Sequence, residues 1–288
     1  MPADLVNLNG QILPRAAARI DPFDRGLVFG DALYEVVKVA GGRLLHLEPH
    51  LGRLSSGLDR IEIPAPHGLE LSCRALVKAS EIDTGSLFLQ VTRGVAPRSH
   101  RPPVDLEPTV LVLPASHGYA PPAARPRTAI TMLDPRWQHC DLKTTSMLAT
   151  VTGKLAARAA EADEVVFVGP AGEVREGGTS NLFVRHDDRL ETCPLDGRIL
   201  PGVTRAQVLG FANALGYRVL ERAPRLAERD GWQEAFLCGT LTGIQPLAIL
   251  DRKAIGLEPI GDWTGALARA LEEHETALLA GRERGKRA

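Results

Sequence analysis

The sequence predicts a two-domain chain, an α+β part followed by a larger α/β part, and three observations lead there. Its 288 residues suffice for two separate hydrophobic cores. The segment Pro114-Ala115-Ser116-His117-Gly118-Tyr119-Ala120-Pro121-Pro122-Ala123-Ala124-Arg125-Pro126 sets prolines and small residues between two strand-like runs, the composition of a linker. On both sides of it, short β-branched runs are interleaved with stretches of helical period. The expected division is residues 1–115, a linker at 116–126, and 127–288.

The first part opens with Leu5-Val6-Asn7-Leu8, the turn pair Asn9-Gly10 and Gln11-Ile12-Leu13, which reads as a β-hairpin. Leu33-Tyr34-Glu35-Val36-Val37-Lys38-Val39 alternates as a strand should, and Gly41-Gly42 turns the chain into Arg43-Leu44-Leu45. Pro49, tolerated in a first turn, opens a helix to about Arg60, and a second helix runs from about Leu69 to Ser80. Leu87 to Thr92 and Thr109 to Leu113 complete a mostly antiparallel sheet, giving an α+β sandwich.

The second part begins with strand Thr128 to Leu133. Ser146 to Ala162 reads as an alanine-rich helix with Leu148, Val151, Leu155 and Ala159 on one face, the face expected to be buried. Strands follow at Glu164 to Val168, Asn181 to Arg185, Leu190 to Cys193 and Ala235 to Cys238; helices are expected at Thr204 to Leu215 and Trp263 to Leu279. So many short strands and tight turns, without a glycine-rich dinucleotide loop, argue against a doubly wound nucleotide fold.

A net charge of -1 and a pI near 6.7 give no reason to expect nucleic acid or an anionic membrane as partner. No apolar run reaches bilayer-spanning length, and the N-terminus lacks the charged start of a secretory leader. Cys73, Cys140, Cys193 and Cys238 are scattered without a CxxC pair, so reduced structural thiols and a cytoplasmic location are expected. The basic run Arg282 to Arg287 reads as a solvated helix end.

Lysine is scarce: Lys38, Lys78, Lys143, Lys154, Lys253 and Lys286 are the only ones. A neutral lysine amine can form an imine with an aldehyde, whereas arginine stays protonated. Lys143, in Cys140-Asp141-Leu142-Lys143-Thr144-Thr145-Ser146, is the candidate; its ordinary reading is a surface pair with Asp141. Lys154 is the rival, placed on the solvated face of its helix. Glu176, in Arg175-Glu176-Gly177-Gly178-Thr179-Ser180-Asn181, belongs either to a polar turn or to a cofactor's ring nitrogen. Leu200-Pro201-Gly202-Val203-Thr204 precedes a helix, and the amides of Val203 and Thr204 make an anion site there, or Thr204 is a plain N-cap. Gly239-Thr240 is a second glycine and hydroxyl turn after a strand, and Arg53 adds a cation able to reach a phosphate, or is a surface arginine. Arg98 and His100 are two apart in Arg93-Gly94-Val95-Ala96-Pro97-Arg98-Ser99-His100, so an extended chain points both to one side, as a carboxylate trap would need. Pro49 interrupts the helical spacing of His46 and His50, so His50 is read as capping its helix and no metal site is expected. A Gly-x-Ser-x-Gly elbow is absent from the sequence.

The order of these pieces (lysine, Glu-Gly turn, Gly-Val-Thr loop, Gly-Thr turn), together with Asp24-Arg25-Gly26-Leu27-Val28-Phe29-Gly30-Asp31-Ala32-Leu33-Tyr34-Glu35, resembles the fold-type IV (class IV) aminotransferases that use pyridoxal 5'-phosphate (PLP). The resemblance runs from Leu5 to about Asp251, and the Arg98–His100 loop looks most like the D-amino acid aminotransferases. It implies a small N-terminal α+β domain, a β-barrel-like C-terminal domain with flanking helices, and a homodimer. It implies a Schiff base on Lys143, Glu176 at the pyridine nitrogen, Leu200 against the ring, and Arg53, Val203, Thr204, Gly239 and Thr240 at the phosphate. Tyr34, Arg98 and His100 would hold the substrate carboxylate, the last two reaching in from the neighbouring subunit. The implied reaction moves an amino group from a D-amino acid to a 2-oxo acid in two half-reactions. Branched-chain L-amino acid aminotransferases, (R)-amine transaminases and aminodeoxychorismate lyases share the scaffold and stand as alternatives, as does a non-catalytic module. One departure stands out: many relatives carry a glutamate where Gly243 stands, before Ile244-Gln245-Pro246.

Overall fold

The computed structural model describes residues 4–118 and 125–281. The central part of the expected linker and the basic tail Arg282 to Arg287 lie outside the described residues. The chain forms two compact units, Met1–Tyr119 with Leu142–Ser146, and Ala120–Asp141 with Met147–Ala288. Leu142–Ser146, embedded in the sequence of the second unit, thus belongs to the first.

In the first unit β1 (Leu5–Leu8) and β2 (Gln11–Pro14) form the expected hairpin about Asn9, whose φ of 51° suits asparagine. A short helix α1 (Arg25–Phe29) is capped by the Asp24 carboxylate and ends at Gly30. Then come β3 (Ala32–Ala40), β4 (Arg43–Leu44), α2 (Leu47–Arg60), α3 (Leu69–Ala79), β5 (Gly85–Thr92) and β6 (Thr109–Ser116). The sheet order β2-β1-β6-β5-β3-β4 is antiparallel throughout. On β3 the period of two sends Leu33 and Val39 into a core with Leu54, Leu58 and Leu76 of the helices and buries Val37, which lies between those two in sequence; it leaves Tyr34, Val36 and Lys38 less buried at the alternate positions.

The second unit runs β7 (Arg127–Leu133), α4 (Leu148–Ala159), β8 (Glu164–Val168), β9 (Val174–Gly177), β10 (Asn181–His186), β11 (Arg189–Thr192), α5 (Val203–Ala214), β12 (Arg218–Leu220), β13 (Trp232–Gly239), β14 (Gly243–Leu250), β15 (Lys253–Ala254) and α6 (Asp262–Leu279). Strands β10-β13-β14-β7-β8-β9 pair in sequence, and β9 pairs back onto β10, which closes a barrel. Its interior carries Val166, Leu182, Val184, Leu237 and Leu247, while α5 and α6 cover Phe183, Phe236 and Ile244 from outside. Among the described residues no helix is long and apolar enough to cross a membrane.

Three sequence expectations need correction. The apolar stripe of α4 faces outward: Leu148 is 75% exposed and Leu155 47%. Thr150, Gly153 and Ala157 face inward instead, because small residues let the helix approach Val165 and Phe167. A Cβ at Gly153 would lie only 2.9 Å from Val165 Cγ1, so close approach wins over the burial of larger side chains. Second, β9 occupies part of the stretch read as a polar turn, and β14 forms after the Gly239–Thr240 turn where no element was assigned. Pro246 is tolerated in β14 because it pairs with Phe236 of β13 on one side, while pairing to β7 starts only at Leu247. Third, His50 does not cap α2. His46 holds the N-cap position with φ of 55° and makes no side-chain cap bond to the helix, and His50 is buried against Glu35.

Candidate active site

Lys143 is placed by the edge of β3. Strand β4 pairs only with the end of β3, so the backbone near Ala32–Tyr34 is open to another partner. The Leu142–Ser146 segment takes that edge: Tyr34 N–H donates to the Lys143 carbonyl (2.9 Å), Thr145 N–H donates to the Ala32 carbonyl, and Leu33 bridges Thr144. Leu142 anchors the segment in the core. Lys143 Nζ then sits 4.0 Å from the centroid of the Tyr34 ring, which stacks on Phe88. Lys154, the rival amine, pairs with the carboxylate of Glu164 at 2.6 Å, so its expected place on a solvated face is corrected to an ion pair.

The neighbouring β3 residue, Glu35, is fully buried. Its carboxylate accepts from His50 Nδ1 and, in a two-pronged pair, from Arg53 Nε and Nη2, all at 2.7 Å. Burial works to raise its pKa, but the hydrogen bonds from His50 and Arg53 outweigh it and hold the group below the usual range. Arg53 is therefore locked in orientation by a residue that sequence reading gave no role.

The Arg98–His100 loop is held from beneath. Asp31 receives Arg25 and Arg93, and Arg25 Nη1 donates to the carbonyl of Ser99 at 2.6 Å. With Ser99 fixed, its two neighbours converge on Phe29: the Arg98 guanidinium lies 5.4 Å from that ring's centroid and the His100 ring 5.5 Å. The one-sided arrangement expected of residues two apart is what the loop adopts, with Phe29 as its platform.

In the second unit Glu176, next to last in β9, pairs with Asn181 of β10. Glu176 is buried; Arg136 Nη1 donates to its Oε1 at 2.6 Å, Asn181 Nδ2 to Oε2 at 3.0 Å, and the Leu200 amide to both oxygens. Burial pushes the carboxyl up to about 7, against the opposing charge and hydrogen bond of Arg136. Asn181 also donates to the Leu200 carbonyl, and a Cβ on Gly202 would collide with its Oδ1. Glycine is required there to admit Asn181. Gly202 is also the N-cap of α5 and brings no side-chain cap, so Thr204 is not the N-cap. The first-turn amides of α5, including those of Val203 and Thr204, have no partner within the helix. Asn181 pairs with Cys238 on β13, so Gly239 and Thr240 follow directly. Gly243 closes that turn with φ of 60°, in the left-handed region that favours glycine.

Sequence reading missed Arg136, Asn181, Phe29 and Glu35 as contributors. Among the described residues His186, Glu191 and Glu228 form one cluster of metal-ligating type. Arg222 donates to both of its carboxylates and Arg189 to Glu191, so arginines already supply the positive charge. All four cysteines are free and buried, and burial raises Cys140 to about 11 and the other three to about 12.

Residues 32–250 match the class IV amino-transferase family. The chain belongs to the class IV aminotransferases. It is 32% identical to the D-alanine aminotransferase of Bacillus licheniformis over 277 residues, covering 93% of this chain and 95% of that one. It is 33% identical to the D-alanine aminotransferase of Listeria monocytogenes over 279 residues, 94% and 96% of the two chains. Among solved structures, the branched-chain amino acid aminotransferase of Escherichia coli superposes with a TM-score of 0.87 at 20% identity, over 99% of this chain and 97% of that one. The 4-amino-4-deoxychorismate lyase of Pseudomonas aeruginosa gives 0.79 at 29% identity, over 93% and 98%. Class IV aminotransferases are PLP-dependent enzymes. The residues present fit that cofactor: a buried carboxylate suits a protonated ring nitrogen, and an uncapped helix N-terminus beside a glycine and hydroxyl turn suits a phosphate.

Proposed function

We propose that this aminotransferase moves the amino group of a D-amino acid, such as D-alanine, to a 2-oxo acid such as 2-oxoglutarate, in two half-reactions. The observation that carries the choice of substrate is the pair Arg98 and His100 converging on Phe29 with Ser99 pinned by Arg25, a built cationic grip for a carboxylate. The D-alanine aminotransferases to which the chain is similar support the same reading.

Bound PLP would supply a carbonyl carbon that takes the amino group and a ring that spreads the electron pair left at the substrate Cα. In this reading Lys143 is the amine that would hold the cofactor, and the same amine would take and return the proton at the substrate Cα. Glu176 would hold the ring nitrogen in its protonated form. Arg53, held by Glu35, would serve the phosphate with the amides of Val203 and Thr204 and with Gly239 and Thr240. Leu200 would pack on the ring, and Tyr34 would join Arg98 and His100 at the substrate carboxylate. Arg98 and His100 are exposed on their own chain. We take them to serve the site of a second subunit, which makes the enzyme a homodimer, and we place it in the cytoplasm.

The test adds D-alanine and, separately, L-leucine to the PLP-loaded enzyme and follows the visible absorption of the cofactor. Loss of that absorption with D-alanine supports the reading; loss with L-leucine alone overturns it in favour of a branched-chain enzyme. Pyruvate release from an aminodeoxychorismate-type substrate without an amino acceptor would instead favour the lyase, the reading raised by the Pseudomonas aeruginosa likeness. Borohydride reduction followed by peptide mapping should label Lys143, and Lys143→Ala should abolish the label. Label on another lysine refutes the assignment.

A further inference from the structure

Arg136 lies in the loop after β7, in Asp134-Pro135-Arg136, outside every motif that carries the family resemblance. It is largely buried, with its guanidinium 4.5 Å from the centroid of the Phe167 ring. Nε and Nη2 donate to the two oxygens of Asp134, at 3.0 and 2.9 Å, and Nη1 donates to Glu176 Oε1 at 2.6 Å. Asp134 is itself fixed by Arg175 Nη1 at 2.9 Å, and Arg175 continues to Glu173 at 3.2 Å. Five side chains of alternating sign thus run from Glu176 to Glu173. In this chain Arg136 is the cation aimed at the one carboxylate assigned to the cofactor.

We infer that Arg136 is a positioning residue that keeps Glu176 in its carboxylate form and aims it, so that the ring nitrogen of PLP stays protonated. The inference rests on the role proposed for Glu176. One proton is shared between Glu176 and the ring nitrogen, and it has two resting places. Either the carboxylate faces a protonated nitrogen, or a carboxylic acid faces a bare one. Both arrangements have the same net charge, but only the first places a negative charge beside the guanidinium of Arg136. Coulomb attraction at hydrogen-bond distance in a buried site therefore selects the first. The Asn181 amide and the Leu200 N–H, the other groups bonded to Glu176, donate to the same oxygens and reinforce it. Only a planar fork can hold Asp134 with two nitrogens and present a third to Glu176; a lysine cannot.

The test uses enzyme loaded with PLP labelled with 15N in the ring, whose nitrogen resonance reports protonation directly. Wild type should show a protonated nitrogen. In Arg136→Gln the resonance should move toward the neutral position, with kcat falling about 100-fold and KM for the amino donor changing less than about threefold. A resonance unmoved in Arg136→Gln, with kcat within about twofold of wild type, overturns the inference. Arg136→Lys should move the resonance part of the way; a full return to the wild-type position would overturn the argument from the fork. If Arg136→Gln fails to fold, Asp134→Asn, which keeps the guanidinium but loosens its clamp, should give an intermediate position, and no movement there overturns the inference. Glu176→Gln separates the two claims. A resonance unmoved in Glu176→Gln refutes the role of Glu176 and the inference with it, whereas movement there with none in Arg136→Gln refutes the inference alone.

Discussion

Removing PLP should leave the second unit with a stability that falls as pH rises, because of Glu176. Its carboxyl is pushed by burial from an ordinary 4.5 up to about 7. Between those values the folded state keeps a proton that the unfolded chain has released. Stability contributed by that proton is whole below about 4.5, declines as pH rises, and is gone above about 7. At about 1.4 kcal/mol per pH unit of displacement, the loss sums to about 3 kcal/mol. Urea unfolding of the PLP-free protein at pH 5, 6, 7 and 8 would measure it. Tryptophan fluorescence is a selective probe, because Trp137, Trp232 and Trp263 all belong to the second unit. The quantity to compare is the slope of wild type against that of Glu176→Gln, a difference in which every other titrating group cancels. The variant should lack the decline, whatever its absolute stability, and wild type reloaded with PLP should also lose it if Glu176 serves the ring nitrogen as proposed. Equal slopes for wild type and Glu176→Gln, within about 0.5 kcal/mol, would refute the account of the buried carboxyl.

Other outcomes follow from the same geometry. Gly202→Ala should displace Asn181 from Glu176 and Leu200, costing about 1–3 kcal/mol in urea unfolding, and should weaken PLP binding measured by titration of the stripped protein. Phe29→Ala removes the ring shared by Arg25 and Arg98; losing about 1–2 kcal/mol of cation–π attraction should raise KM for both substrates about tenfold with little change in kcat. Glu35→Gln leaves Arg53 and His50 without their buried counter-charge and should cost about 3 kcal/mol of stability, read as a lower denaturant midpoint. PLP affinity should fall in the same variant if Arg53 serves the phosphate.

What the sequence made legible was local. The hairpin at Asn9-Gly10, the helix at α3 and the alternation along β3 each depend on neighbours a few residues apart, and each formed as expected. The stretches carrying Lys143, Glu176, Gly202 and Gly239 were visible for the same reason, being short runs of unusual composition. Arg136 was hidden because its meaning comes from Glu176, on a distant strand, and its nearest sequence neighbours describe only a proline turn. Glu35 was hidden by its own strand: in an alternating pattern a charged residue on the inward face is legible only once its partners on α2 are seen. The stripe on α4 misled because hydrophobic periodicity measures side chains, whereas this helix packs through the absence of one at Gly153.

The backbone passes between the two units at three places, after Tyr119, Asp141 and Ser146. A protease nick in the proline-rich stretch would therefore give two fragments held together only non-covalently, through the seat of Leu142–Ser146 on β3. A fragment ending there would lack Leu142, and with it part of the core formed by Leu33 and Leu58. The edge of β3 that receives Lys143 is completed by chain that follows β6, a closure across a loop that costs conformational entropy. The amine on which the proposed chemistry depends is thus held by the most distant stretch of sequence that the first unit contains.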